Sequence, residues 1–205
     1  MHTKTSLSHA PVAVQGLLLA GGRGRRFDPS GQTSKLQARL ANGASVLRAS
    51  CERILPWVDA LAIVLGEHNQ ALCQEVIDLP VKVLVCPEAD DGLGATLSCG
   101  LRGTTPTLGW IIALADMPYI DPSTYGLVLN GLRSGFGAIR PTFEGEPGHP
   151  VGLGRQWPSK LGGLSAKRGL GTLLQDPDIG LEALAVSDAG CVRDIDYPTD
   201  LDRPV

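Results

Sequence analysis

The chain has 205 residues, of which 43% are hydrophobic, 4% aromatic and 19% charged. That length suits one domain with a sizeable core, and with so few aromatics the core must come from Leu, Val, Ile and Ala, which favours an α/β protein over an aromatic-rich β-sandwich. A net charge of −3 excludes the basic footprint of a non-specific nucleic-acid binder, and no apolar run approaches the roughly 20 residues that cross a bilayer as a helix.

Residues 1–10 carry His2, Lys4 and His9 among Ser and Thr with no apolar h-region, so they read as a frayed tail and not a signal peptide, ahead of one domain over 11–205. Cys51, Cys73, Cys86, Cys99 and Cys191 are scattered and never form a Cys-x-x-Cys pair. Neither a disulfide framework nor a zinc site is suggested, and the expected location is the cytoplasm.

Residues 12–19 form an apolar run of the kind buried on both faces in parallel sheets. A loop over 20–37 follows, with Pro29 and Gly31 ruling out regular structure in its middle. Ser45 predicts the cap of a helix that Pro56 stops. A strand over 60–65, a helix over 69–77 and a strand over 81–85 continue the alternation, which argues for right-handed crossovers and a parallel sheet.

Asp90-Asp91-Gly92-Leu93-Gly94 opens a small-residue helix over 95–101, and the strongest strand pattern, 110–115, ends in Asp116-Met117-Pro118. Asp121-Pro122-Ser123 starts another helix, 137–140 reads as a strand, and 142–148 as a hairpin or excursion. Residues 151–153 are a short apolar piece, followed by two short helices near 159–164 and 170–174 and a strand near 181–186.

Several residue groups carry candidate chemistry. Gly21, Gly22 and Gly24 let backbone N–H groups approach an anion, and Arg26 and Lys35 can neutralise phosphate oxygens. The spacing fits neither a P-loop nor a dinucleotide-binding fingerprint, and a solvated turn bearing surface arginines is the competing reading. Asp116 sits at the carboxyl end of a central strand, the edge where open parallel sheets bind ligands, and suits Mg²⁺ held together with phosphates. Asp194 and Asp196 are either a solvated acidic turn or the source of a second carboxylate. His149, between Gly148 and Pro150, is a surface residue, a substrate contact or a base.

Taken together, these residues resemble a known family. Leu19-Ala20-Gly21-Gly22-Arg23-Gly24-Arg25-Arg26-Phe27 is similar to the Leu-Ala-Ala/Gly-Gly-x-Gly-x-Arg-Met/Phe signature of nucleotidyltransferases with a dinucleotide-binding-like fold, and Lys35-Leu36 matches the lysine that follows it. Gly92-Leu93-Gly94-Ala95-Thr96-Leu97, Arg102, Ala115-Asp116-Met117-Pro118, Gly148-His149-Pro150-Val151 and the stretch from Asp194 to Leu201 resemble the molybdenum-cofactor cytidylyl- and guanylyltransferases.

The resemblance implies a three-layer α/β/α fold with a mostly parallel sheet of the nucleotide-diphospho-sugar transferase type. It implies a reaction in which the terminal phosphate of molybdopterin attacks the α-phosphorus of CTP or GTP and releases pyrophosphate. By the same resemblance, Arg26, Lys35 and Asp116 are catalytic, and Leu19, Ala20, Gly21, Gly22, Gly24, Arg26, Lys35, Gly94 and Thr96 hold the nucleotide. Asp116 and Asp196 bind Mg²⁺, while Gly148, His149 and Pro150 face the acceptor.

The implied partners are the NTP, a molybdopterin-type phosphorylated acceptor and, transiently, a molybdoenzyme, with no nucleic acid and no membrane. An anionic phosphate is already a nucleophile, so no strong base is required of His149. A sugar phosphate is the alternative acceptor, and a non-catalytic carrier of molybdenum cofactor is the alternative of another class; only a transferase needs Asp116 and Lys35.

Three departures from the family pattern stand out. Asp28 replaces a common Gly, residues 29–34 lengthen the loop before Lys35, and Ala166-Lys167-Arg168-Gly169 replaces a Gly-Asp-x-Gly of the cytidylyl branch. An added carboxylate beside a triphosphate is unfavourable unless it points away or joins the metal shell. Ala20-Gly21-Gly22 looks like guanylyl-type members, whereas the Gly-His-Pro-Val and Asp-x-Asp-x-Pro segments look cytidylyl-type, so the base stays open between the two.

Overall fold

The computed structural model describes residues 13–156, 170–175 and 179–201. The expected tail over 1–10, the helix near 159–164 and the 166–169 segment lie outside the described residues.

The described chain folds around one eight-stranded sheet of order β3-β2-β1-β4-β7-β5-β6, with β8 also pairing β5. In chain order the strands are β1 (Val14–Ala20), β2 (Ala60–Gly66), β3 (Val81–Cys86), β4 (Gly109–Leu114), β5 (Ala138–Phe143), β6 (Glu146–Pro147), β7 (Val151–Gly154) and β8 (Leu181–Ala185). β1 lies at the centre of the parallel part, where Leu18 pairs with Ile63 of β2 on one side and Ala113 of β4 on the other. β7 is antiparallel to both β4 and β5, and β8 is parallel to β5.

Strand alternation divides the core into two faces. Leu18 and Ala20 share one with Leu61, Ile63, Leu65, Ile111 and Ala113, covered by α1 (Val46–Ile54) and α3 (Pro122–Arg133). Leu17 and Leu19 face the other way with Ala62, Val64, Trp110 and Ile112, under α2 (Leu93–Arg102) and α4 (Leu170–Leu173). The result is the expected three-layer α/β/α arrangement with a mostly parallel sheet. No helix among the described residues is long and apolar enough to cross a membrane.

Two helix starts follow their sequence signals. Ser45 caps α1 by accepting from the Arg48 N–H, and Asp121 caps α3 by accepting from the Ser123 N–H at 2.8 Å. The helix expected over 69–77 is instead a run of 3-10 turns, Glu67–Val76. Its apolar face is thin, with Leu72 and Val76 as its buried residues, and Gly66 supplies no capping side chain. Asn69 turns away to donate to the Ala20 and Gly22 carbonyls, at 3.0 and 3.1 Å.

The 142–148 excursion is a hairpin in which Phe143 pairs with Glu146. Glu144 and Gly145 both take positive φ, 50° and 86°, the turn whose twist matches paired strands. Past a cis His149–Pro150 bond the chain re-enters as β7. The 151–153 piece is therefore a central strand, buried along its length.

Candidate active site

β1 ends at Ala20, and the glycine loop begins at the carboxyl edge of the parallel strands. Two of its glycines are required by geometry. A Cβ on Gly21 would fall 2.4 Å from Thr96 Oγ1, so the loop lies directly on the first turn of α2. Gly24 has φ of +60°, and a Cβ there would meet the Lys35 stem at 3.2 Å. After the loop, residues 36 and 38 are held by α1, whose Leu47 and Val46 N–H groups donate to the Leu36 and Ala38 carbonyls. Lys35 is thereby fixed from both sides.

Asp116 follows β4, and three backbone ties set its position. The Ala115 N–H donates to Leu19 O at 3.0 Å, the buried Ser50 hydroxyl donates to Ala115 O at 2.9 Å, and the Ile195 N–H donates to Asp116 O at 2.9 Å. The last of these brings the acidic C-terminal segment to the strand end. There the Asp200 carboxylate accepts from the Asp196 and Tyr197 N–H groups, at 3.0 and 2.7 Å, and shapes the turn that presents Asp196.

The charged groups meet at this edge. Lys35 Nζ lies 2.6 Å from Asp116 Oδ2 and 3.4 Å from Asp196 Oδ1, and Arg26 Nη1 closes on Asp196 Oδ2 at 2.5 Å. The Lys35 side chain is only 12% exposed and that of Asp116 19%, whereas Arg26 is 72% exposed. Burial works against the Lys35 charge, but Asp116 and Asp196 outweigh it and hold the ammonium above the ordinary lysine range. Asp196, despite some burial, is held below the usual carboxylate range by Arg26 and Lys35. Asp194 is pushed up by burial and by the charges of Asp196 and Asp116, so it faces the same cluster. Lys35 thus bridges Asp196 of this segment to Asp116.

Next to the cluster, a cavity of about 460 Å³ is lined by Gly21, Gly22, Arg23, Arg25, Asp90 and Gly92, with Ala89. A larger cavity, about 900 Å³, opens between the start of α3 and the ends of β5 and β8. Its acids already serve the fold, since Asp121 caps α3 and Asp188 accepts from Asp121 N–H, Thr124 Oγ1 and Gly190 N–H. The smaller cavity has the glycine loop, two arginines and the neighbouring carboxylates, and is the candidate site.

The sequence profile described as the MobA-like NTP transferase domain matches residues 16–183. The chain belongs to the MobA-like NTP transferase family. The profile is described as that of an NTP transferase domain. Among curated relatives, it is 31% identical over 131 residues to the bifunctional enzyme IspD/IspF of Gluconobacter oxydans, covering 62% of this chain and 34% of that one. It is 28% identical over 123 residues to nicotine blue oxidoreductase of Paenarthrobacter nicotinovorans, covering 60% and 58%. The matches thus span about 34% and 58% of the length of these relatives.

Solved structures with the same fold include Rv0371c of Mycobacterium tuberculosis (TM-score 0.80, 24% identity, 94% of this chain and 96% of that one). A manganese complex of that protein superposes with a TM-score of 0.71 at 22% identity over 93% and 94%. Molybdopterin-guanine dinucleotide biosynthesis protein A of Archaeoglobus fulgidus has a TM-score of 0.67 at 18% identity, with 91% and 94% covered. At these identities the likeness is one of fold, that of the nucleotide-diphospho-sugar transferases.

In this MobA-like frame the donor set fits a hard divalent cation. Asp116 and Asp196 offer oxygen ligands from two segments, and the Lys35 ammonium between them marks a place where positive charge is stabilised. No group of three or more His, Cys, Asp or Glu side chains suited to a metal occurs among the described residues. The remaining ligands would be phosphate oxygens and water, which is how Mg²⁺ sits in phosphoryl-transfer sites.

The predicted acceptor residues pack against Cys191, just ahead of the acidic C-terminal segment. His149 N–H donates to Cys191 O at 2.7 Å, and Arg140 Nε donates to Gly148 O at 2.9 Å. The His149 Nδ1 atom is covered and makes no hydrogen bond. Burial, reinforced by the Arg140 charge, pushes the imidazole down to about 4, so it is neutral at pH 7.

Asp28, the odd residue of the loop, points into its own turn. Its carboxylate accepts from Ser30 Oγ at 2.6 Å, Ser30 N–H at 2.8 Å and Thr33 N–H at 2.7 Å, which lowers it to about 2. It staples the added residues into an Asx-type turn. The folded value is depressed, so the staple is fully formed above the ordinary aspartate value of 3.8 and is lost as pH falls toward about 2. For Asp28→Ala we expect faster hydrogen exchange of the Ser30 and Thr33 amides at neutral pH. Unchanged exchange would mean that another contact holds the turn.

Sequence reading missed Ser50, Asn69 and the pairing of Arg23 with Asp90. Ser50 was visible as a hydroxyl on the apolar face of α1. Asn69 and the Arg23–Asp90 pair left no local signal, since their partners lie 49 and 67 residues away.

Proposed function

We propose that residues 11–205 act as one nucleotidyltransferase domain that, with Mg²⁺, transfers CMP or GMP from CTP or GTP to the terminal phosphate of a molybdopterin-type acceptor and releases pyrophosphate. The observation that carries this reading is the Lys35 ammonium lodged between Asp116 and Asp196 at the strand edge, with Arg26 beside it.

In this reading the glycine loop wraps the triphosphate. Arg26, exposed and held by one carboxylate, swings cheaply to a phosphate oxygen, because an exposed ion pair contributes little. Lys35 stays in place and offsets charge that builds on the phosphates. When bound, Mg²⁺ would neutralise phosphate oxygens and supply no proton chemistry. The acceptor phosphate is itself the nucleophile, so positioning and electrostatics suffice. Neutral His149, its Nδ1 covered, contributes shape and no base. Delivery of the product to a molybdoenzyme belongs to the same reading.

A second reading, transfer to a different phosphorylated acceptor such as a sugar phosphate, is favoured by the IspD/IspF name of one relative. A pyrophosphate-release assay over the four NTPs, with molybdopterin and sugar phosphates as acceptors, separates the two. Release with CTP or GTP that depends on molybdopterin supports the first, release that depends on a sugar phosphate supports the second, and none in any combination sinks both. In the same assay, Asp196→Ala is expected to raise the Mg²⁺ concentration for half-maximal activity by about tenfold or more. An unchanged titration would remove Asp196 from the metal site.

A further inference from the structure

The cysteines take no part in the proposed transfer, and all of them are free thiols. Cys86 is the last residue of β3, where it pairs with Gly66 of β2, and Cys99 lies midway along α2. Strand and helix meet in a seam where each sulfur touches the backbone that carries the other. Cys86 Sγ lies 3.7 Å from the carbonyl of Ala95, one helical turn before Cys99. Cys99 Sγ lies 3.9 Å from the carbonyl of Val85, the residue before Cys86. The two thiols are in side-chain hydrogen-bond contact with one another. Both pack into the same apolar cluster, Cys86 fully covered and Cys99 partly exposed.

The chain between them shapes the candidate site. After Cys86 come the 3-10 turns at Pro87–Asp91, then Gly92 with φ of 119°, then the first turn of α2. This stretch carries Ala89, Asp90 and Gly92 of the cavity beside the glycine loop, and Thr96, on which Gly21 packs. A bond between the two sulfurs closes a ring that contains all four residues.

We infer that Cys86 and Cys99 form a reversible disulfide site, oxidised by a small-molecule disulfide of the glutathione class, and that the bond stiffens this wall of the cavity. Cys99 is the thiol that the oxidant reaches first. Its thiolate attacks one sulfur of the oxidant, whose S–S bond breaks to release one thiol. Cys86 then loses its proton to solvent, attacks the Cys99 sulfur of the mixed disulfide and displaces the second thiol. Two cysteine thiols are oxidised, and one small disulfide is reduced to two thiols. Burial, then the Cys99 thiol beside it, push Cys86 up to about 12, so its thiolate is scarce at pH 7 and the closing step is the slow one. Contact between the two groups offsets that scarcity, because the step is intramolecular.

The test is treatment of the full-length protein with glutathione disulfide, followed by intact mass, peptide mapping, thermal melting and hydrogen exchange. Wild type should lose the mass of two hydrogens and yield a peptide joining Cys86 to Cys99. The cross-linked protein should melt about 5 °C or more higher, the scale for closing a loop of about 15 residues in a chain of this size. Its amides over 89–96 should exchange severalfold more slowly, and dithiothreitol should reverse all of these changes. Cys86→Ser should instead gain one glutathione at Cys99, whereas Cys99→Ser should gain none at Cys86. No readout uses an NTP, so the result stands apart from the nucleotidyltransferase reading. The decisive result comes from wild type, so a variant that failed to fold would leave the test intact. Glutathione adducts without a Cys86–Cys99 peptide, no reaction at all, or a cross-linked protein with unchanged melting and exchange would overturn the inference.

Discussion

Asp116→Asn is expected to lower NTP-dependent pyrophosphate release about a thousandfold while the protein still folds. The size is that of losing one preorganised group that stabilises developing charge. Asn keeps the shape of the side chain and the backbone ties from Leu19, Ser50 and Ile195, since these use the main chain of residues 115 and 116. What is lost is the charge that faces Lys35 at 2.6 Å and the anionic ligand for a divalent cation. Lys35 retains Asp196 at 3.4 Å, so no buried charge is left without a partner. A stability change of about 1 kcal/mol, or roughly 2–4 °C in Tm, is the scale for one partly buried polar contact in a chain of this size. Thermal melting and the pyrophosphate assay separate the two effects. Near-wild-type turnover would take Asp116 out of the chemistry.

Lys35→Ala is expected to abolish turnover to a comparable extent for an opposite electrostatic reason. Removing the ammonium leaves Asp116 and Asp196 facing each other, with Asp194 beside them. That repulsion destabilises the unliganded variant, and a divalent cation relieves it. Melting temperature should therefore rise with added Mn²⁺ or Mg²⁺ more in Lys35→Ala than in wild type, and less in Asp116→Asn than in either. The wild-type ion pair also has a defined pH window. Lys35 is raised in the fold, so its contribution is full below the ordinary lysine value of 10.5 and is lost as pH climbs through the higher folded value. Asp196 is lowered, so its contribution is full above 3.8 and fades below it. Between those limits the Lys35–Asp196 contribution is retained, so metal titrations of wild type and variants are compared at pH 7. Equal metal effects in the two variants would show that Lys35 and Asp116 do not share one site.

The two substitutions also bear on the family. MobA-like NTP transferases use a nucleoside triphosphate, and a chain with this cluster but no turnover in any NTP–acceptor pair would be a binding protein on a transferase scaffold. Fold and function are separable in this way because function resides in the site. Among the described residues, Lys35, Asp116, Asp196 and Arg26 are joined by ion pairs.

Much of the architecture was legible in the chain. The apolar runs of β1, β2 and β4 are uninterrupted because both faces of these strands are covered, and such runs need no partner information to be recognised. Ser45 and Asp121 mark helix starts because capping is local. The placement of Asp116 at a strand end, and of glycines after β1, follows from the same local reading. Where local signals were weak, the reading slipped: 67–76 has the sparse apolar face of a helix but takes 3-10 turns, and 151–153 is too short to announce itself as a central strand.

Tertiary structure alone decided how the charges are shared. Lys35 meets Asp116 across 81 residues and Asp196 across 161, and Arg23 meets Asp90 across 67. Those contacts depend on strand order and on one backbone bond from Ile195 to Asp116, neither of which leaves a periodic trace in the chain. Asp28 shows the converse case. By itself it is a carboxylate beside a phosphate loop, and only its three hydrogen bonds to Ser30 and Thr33 assign it to the turn. Hydrophobic period and capping chemistry are properties of neighbours in sequence and so determine elements, whereas a charge cluster is a property of neighbours in space and is settled only when the sheet closes.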